Sequence, residues 1–268
     1  MAKGKTIVIT SGKGGVGKTT TTANIGAGLA YQGKKVVLVD ADIGLRNLDG
    51  VMGLENRIVR NLVHVVESDY DFDRALVRDK KIETLFLLPA SQVHDKDAIS
   101  PEQMQEVCRR LLEDFEFDYV LVDCPAGIEQ GFKNAVIAAD EAIIVTNPEF
   151  SAVRDADRVV GLLTSEGKDK ISLLVNKVRP KMVSRQHMLS TNDIMEELQV
   201  KLLGEIPDDE EVIISTNKGE PIILNEYSKA AQAYRNIVER IMGKDVPFMD
   251  LHVEEGLLGK LKKIIGFN

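Results

Sequence analysis

The sequence predicts one α/β domain of three layers, with helices on both faces of a doubly wound, mostly parallel sheet. Three observations lead there. Short apolar runs alternate with helical stretches along the chain, the order that parallel strands with helical crossovers require. Most of the runs are continuously apolar rather than alternating, as they are when both faces of a sheet are covered. A glycine-rich turn at residues 12–19 joins the first run to the first helix.

The first strand is expected over 6–10, rich in β-branched residues, and the first helix over 19–31. Further strands are expected over 35–39, 84–88, 119–122, 142–146, 171–175 and 201–205, with helices over 101–113, 151–165, 184–198 and 226–242. A chain of 268 residues can bury a substantial core in one such domain and is short for two. Residues 1–243 are expected to form it, 244–255 to connect, and 256–268 to form a separate amphipathic helix. The net charge of −8 argues against a general nucleic-acid binder. No apolar run reaches membrane-spanning length, and a strand begins within a few residues, which leaves no room for a signal peptide. Cys108 and Cys124 are too few for a disulfide framework or a zinc site, so the expected compartment is the cytoplasm.

Ligands on such sheets sit at the carboxyl ends of the strands, and each chemistry-bearing motif falls just after an expected strand. Gly12, Lys13, Gly14, Gly15, Val16, Gly17, Lys18 and Thr19 satisfy the phosphate-loop pattern G-x-x-x-x-G-K-[ST]. Glycines let backbone N–H groups turn inward around a phosphate, and the helix N-terminus adds positive potential. Lys18 is expected to reach the β- and γ-phosphates and the Thr19 hydroxyl to hold Mg²⁺. Thr20 is taken as a further nucleotide contact in the first helical turn. Lys13 is not needed to cradle phosphate within one subunit. Its side chain is expected to leave the loop away from its own helix, toward a nucleotide held by a second copy; the alternative is a solvated surface lysine.

Asp40 and Asp42 end the second strand, where one acid can order the metal's water shell and the other orient the attacking water. Asp123 ends an apolar strand in the Walker B arrangement and is expected to hold Mg²⁺ through water. Gly127, just beyond it, gives the backbone freedom to switch. Cys124 is expected to pack as a small buried hydrophobe. Asn176 ends another strand with an amide able to pair with a base edge, or to act as an ordinary strand-end cap. The segment holding Pro207 and Asp208 can close over the base. Ser151 is expected to cap the helix beginning there, leaving Arg154, Asp155, Asp157 and Arg158 as surface charges.

G-K-G-G-V-G-K-T at 12–19, D-A-D-I-G-L-R-N-L-D at 40–49, D-C-P-A-G at 123–127 and N-P-E-F-S-A-V-R-D-A-D-R at 147–158 together resemble the MinD/ParA group of deviant phosphate-loop ATPases. The resemblance implies a P-loop NTPase fold of the deviant Walker A type, with ATP and Mg²⁺ as cofactors. It implies a homodimer formed with ATP, in which Lys13 crosses to the partner's nucleotide and Asn47 lies at the interface beside the γ-phosphate. Asp42 is then the acid needed for hydrolysis, which makes Lys13, Lys18 and Asp42 the catalytic candidates. Asn176, Pro207 and Asp208 match the family's adenine pocket, and Arg154, Asp155, Asp157 and Arg158 its dimer and partner contacts. Implied partners are anionic membrane lipid, the division inhibitor MinC and an ATPase activator such as MinE, with no sequence-specific nucleic acid.

The last thirteen residues bear on the same function. Leu257, Leu258, Leu261, Ile264 and Ile265 gather within about 120° of a helical projection, with Phe267 beyond them. Lys260, Lys262 and Lys263 take the remainder, and no acid is present. A basic amphipathic helix on an acidic body points to attachment at the inner face of a membrane; the alternative is a terminal helix docked on the core. A ParA-type partitioning ATPase would carry basic surface for DNA, and an iron–sulfur carrier of this group would need a C-x-x-C. A flagellar-placement ATPase shares most of the motifs, but the R-N-L-D segment together with this tail favours division-site placement.

Overall fold

The computed structural model describes residues 4–95 and 98–251. Its strands are β1 (Lys5–Thr10), β2 (Val36–Asp40), β3 (Val77–Arg78), β4 (Leu85–Leu88), β5 (Tyr119–Asp123), β6 (Glu141–Thr146), β7 (Ile171–Val178) and β8 (Lys201–Pro207). They form one sheet in the order β3-β4-β2-β5-β1-β6-β7-β8. Every pairing is parallel except β3 with β4. The connection from β1 to β2 runs toward one edge of the sheet, while that from β5 to β6 crosses β1 toward the other, and this reversal opens a crevice at the carboxyl edge.

The helices are α1 (Lys18–Tyr31), α2 (Leu48–Val51), α3 (Leu62–Glu67), α4 (Pro101–Glu113), α5 (Gln130–Ile137), α6 (Phe150–Ser165), α7 (Pro180–Val183), α8 (Thr191–Leu198), α9 (Glu210–Asn217) and α10 (Lys229–Ile241). Along β1, Ile7 and Ile9 face α1 and α10, while Val8 between them faces the layer that holds α3, α4, α5, α6 and α8. Both sides of each central strand are thus dry, and a polar residue there would go unpaired. That is why the strands read as continuous apolar runs. No helix among the described residues is long and apolar enough to cross a membrane.

All seven expected strands are present, and four differences from the expected elements have physical reasons. The two-residue β3 pairs antiparallel at the sheet edge, too short to show any periodicity. The helix expected over 184–198 is broken: α7 ends by Val183, Gln186 is left-handed at φ 58°, and a Ser190–Asp193 capping box starts α8 at Thr191. Local side-chain caps outcompete helical propensity there. α10 starts at Lys229 instead of 226, because Ser228 caps it by accepting the Ala231 N–H. α6 starts one residue early: Glu149 occupies the N-cap and gives no side-chain cap bond, so Ser151 is not the cap. By contrast α4 runs over the expected 101–113, fixed by the Ser100–Gln103 box and Pro101 in the first turn.

Candidate functional site

The crevice at the carboxyl edge is a cleft of about 690 Å³. Its floor is the loop between β1 and α1. Gly14 and Gly15 are exposed, and a Cβ on either would meet nothing within 4 Å, so the loop presents open backbone to the cleft. Gly17 holds φ 95° at the head of α1, and a Cβ there would overlap the Asn176 amide. Only glycine fits that position. α1 begins with no side-chain cap and no acid in its first turn, so its N-terminal N–H groups and positive dipole end are left for an anion.

Behind the loop lie buried charges. Lys18 Nζ stands 3.4 Å from Asp123 Oδ1, the two side chains 8% and 1% exposed. Thr22 donates its hydroxyl to the same oxygen at 3.2 Å. Asp40 is in register with Asp123 on the neighbouring strand. Its carboxylate accepts the N–H groups of Asp42 (3.0 Å) and Leu48 (3.2 Å), so it organises the turn leading to α2. Burial, and next the Asp123 carboxylate, push the Asp40 carboxyl up to about 8.

Two buried carboxyl groups share one ammonium, so Asp40 holds its proton more readily than an exposed carboxyl does, and a divalent cation would let both ionise. The donors present are all oxygens: Asp123, the Thr19 hydroxyl at the cleft and Asp40 beside them. Mg²⁺ suits such a set, since it takes one or two carboxylates and fills its remaining sites with phosphate and water. Among the described residues no group of three or more His, Cys, Asp or Glu forms a metal cage. Asp42 lies half-buried on the cleft wall, held by the turn that Asp40 organises.

One wall of the cleft is built from the ends of β7 and β8. Asn176 donates its amide to the Val16 carbonyl at 2.7 Å and accepts the Lys177 N–H at 2.9 Å. Lys177 Nζ reaches the Gly15 carbonyl at 2.9 Å. Both side chains therefore brace the phosphate loop, a use that neither sequence reading of Asn176 foresaw. Pro207 and Asp208 line the wall, and Asp208 pairs with Arg179 at 2.6 Å across the strand ends. Arg179 escaped the sequence reading; its place just beyond the β7 strand, where every other motif sits, was the available signal.

Lys13 reaches the start of α6. Within one protomer its Nζ donates to Ser151 Oγ at 3.0 Å and lies 3.7 Å from Glu149 Oε2, with the side chain 42% exposed. Ser151 thus receives a lysine where a cap was expected. Arg154 lies over the Phe150 ring at 5.8 Å, Arg158 is 3.9 Å from Asp155, and Asp157 is exposed. Gly12 packs directly on the Asp155 backbone, which joins this helix to the loop. Asn47 is exposed on the cleft rim. Cys124 is fully buried and its thiol is pushed up to about 12 by burial, as suits a packing role. Leu257, Leu258, Lys260, Leu261, Lys262, Lys263, Ile264, Ile265 and Phe267 lie outside the described residues.

Residues 7–222 match the family model for the CobQ/CobB/MinD/ParA nucleotide binding domain. The chain is 56% identical to the septum site-determining protein MinD of Synechocystis sp. over 259 residues, 96% of this chain and 97% of that one. It is similar in structure to the Aquifex aeolicus MinC:MinD cell division protein complex, with a TM-score of 0.87, 48% identity, and 93% and 100% of the two chains covered. The septum site-determining MinD of Pyrococcus horikoshii, solved with Mg-ADP, superposes with a TM-score of 0.79 at 31% identity, over 88% of this chain and 95% of that one.

Proposed function

The chain belongs to the MinD family of septum site-determining ATPases within the CobQ/CobB/MinD/ParA nucleotide-binding group, and from that premise we propose that it governs division-site placement by an ATP-driven membrane switch. It dimerises on binding ATP with Mg²⁺, attaches to the inner membrane face through residues 256–268, and recruits a MinC-like inhibitor. An activator such as MinE releases it by stimulating hydrolysis. The observation that carries this reading is the cleft, where an open glycine loop, a buried Lys18–Asp123 pair and a second lysine at the rim meet at one sheet edge.

In the reaction, the loop N–H groups and Lys18 hold the phosphates; Thr19 and Asp123 would hold the cation, which would supply positive charge beside the phosphate oxygens. Asp42 orients the attacking water. The Aquifex relative solved with MinC and the Pyrococcus relative solved with Mg-ADP support the partner and the cofactor. Lys13 completes a partner's site in trans. That requires it to exchange its exposed contacts with Ser151 and Glu149, which contribute little, for a phosphate. Lys13→Ala is therefore expected to bind ATP within about threefold of the parent yet stay monomeric, because the lost contact lies across the interface. Light scattering in ATP decides it: a normal dimer would return Lys13 to the status of a surface charge.

One tail gains apolar burial and roughly 1 kcal/mol per lysine near anionic lipid. The cost of ordering a helix broken by glycines offsets most of this. Two tails held side by side bind firmly through effective concentration. Full-length protein is expected to sediment with anionic liposomes in ATP and to stay largely in the supernatant in ADP. A 1–255 truncation and Ile264→Glu are expected to stay in the supernatant in both while dimerising normally. Raised salt weakens binding only in part, since screening removes the lysine contribution and leaves the apolar one. Sedimentation of the truncation at the full-length level would show that the membrane switch does not reside in this tail.

A further inference from the structure

The carboxylate of Asp209 joins two helix ends far apart in the chain. Its Oδ1 accepts the Glu211 N–H at 3.0 Å and caps α9. Its Oδ2 accepts the Ser228 hydroxyl at 2.7 Å and the Ala230 N–H at 3.3 Å at the start of α10. Burial pushes this carboxyl up, but the hydroxyl and backbone N–H donors outweigh it and hold the group below its ordinary value, so it remains a carboxylate.

α10 is in turn fixed to the helix that carries the phosphate loop. The Tyr234 and Thr21 hydroxyls meet at 3.2 Å inside the buried contact between α10 and α1. Just before α10, the Ile223 N–H donates to Asn24 Oδ1 on α1 at 2.8 Å. Asp209 also follows directly on Pro207 and Asp208, and with Val212 and Ile213 of α9 it lines the cleft wall beyond the end of β8. A continuous, mostly buried path therefore runs from α1 through α10 and Asp209 to that wall.

We infer that Asp209 is a positioning residue that sets the span between the phosphate loop and the base-side wall, so that one nucleotide engages both ends at once. The inference rests on the nucleotide reading of the cleft. A ligand gripped at two points of fixed separation loses its translational freedom once and collects both sets of contacts. When the wall is unpinned the phosphates still bind, but the base must pay to order its side of the cleft.

The test compares MgATP with magnesium tripolyphosphate, which carries the phosphates and no base, on wild type, Asp209→Asn and Ser228→Ala. Asp209→Asn keeps an oxygen for α9 but sets an amide against the donors of α10. Ser228→Ala keeps the carboxylate and its bonds to the Glu211 and Ala230 N–H groups, and removes one link of the pin together with the cap that Ser228 gives the Ala231 N–H. For Asp209→Asn, ATP affinity is expected to fall on the order of tenfold and tripolyphosphate affinity to stay within about twofold. KM rises with kcat nearly unchanged, and Ser228→Ala shows the same pattern at smaller size. Equal losses for both ligands, or unchanged ATP affinity in folded Asp209→Asn, would overturn the inference. A wild type that binds neither ligand would instead overturn the nucleotide reading beneath it.

Discussion

Lys18→Ala is expected to weaken ATP binding by at least about a hundredfold and to lower the melting temperature of the ligand-free protein as well. The first effect follows from chemistry, since the ammonium facing the β- and γ-phosphates supplies charge that the loop N–H groups cannot replace. The second follows from the buried surroundings of the side chain. Lys18 neutralises Asp123, which faces Asp40 across two paired strands, and all three are nearly inaccessible. Removing one partner of a buried pair costs about 3–5 kcal/mol, because the remaining charge stays in the interior without compensation. The two effects separate in the double variant Lys18→Ala, Asp123→Asn. It is expected to recover much of the stability and none of the ATP binding. Isothermal titration and thermal melting measure both, and ATP affinity within threefold of the parent would remove Lys18 from phosphate binding.

The phosphate loop was legible in the sequence because its geometry is local. Glycines at fixed offsets, a β-branched strand before and a helix after leave the backbone little choice. Asp40, Asp42 and Asp123 were legible for a related reason: each ends an apolar run, and a parallel sheet brings such ends to one edge whatever the connections between them. What could not be read was pairing between distant segments. The Asn176 brace on Val16, the Arg179–Asp208 bridge and the Lys13–Ser151 contact join residues 160, 29 and 138 positions apart. No spacing rule links such positions, and an amide, a guanidinium or a hydroxyl at a strand or helix end serves many purposes. The helix expected over 184–198 failed for the opposite reason. Composition there favours helix, but Ser190 with Asp193 caps a later start.

Asp42→Ala is expected to keep ATP within about threefold of the parent affinity and to lose on the order of 10²–10⁴ in kcat, the range by which a positioned acid–base group accelerates such a step. Binding survives because the loop, Lys18 and Thr19 are untouched, and because the turn around residue 42 is held by backbone bonds. The Asp42 N–H still reaches Asp40, and its carbonyl still accepts the N–H groups of Leu45 and Arg46. Stability is expected to change little, since the side chain is half-buried on the cleft wall and outside the apolar core. Turnover falls because the water loses its orientation in the transition state alone, which lowers kcat and kcat/KM together. Asp42→Asn separates two uses of the carboxylate: an amide can hold a water but cannot take its proton. Turnover between those of wild type and Asp42→Ala would assign part of the effect to orientation. With hydrolysis slowed and binding intact, Asp42→Ala is further expected to accumulate as the ATP dimer and to stay on anionic liposomes longer than the parent. Phosphate release at saturating ATP measures the loss directly, and a rate within twofold of wild type would leave the water to another residue.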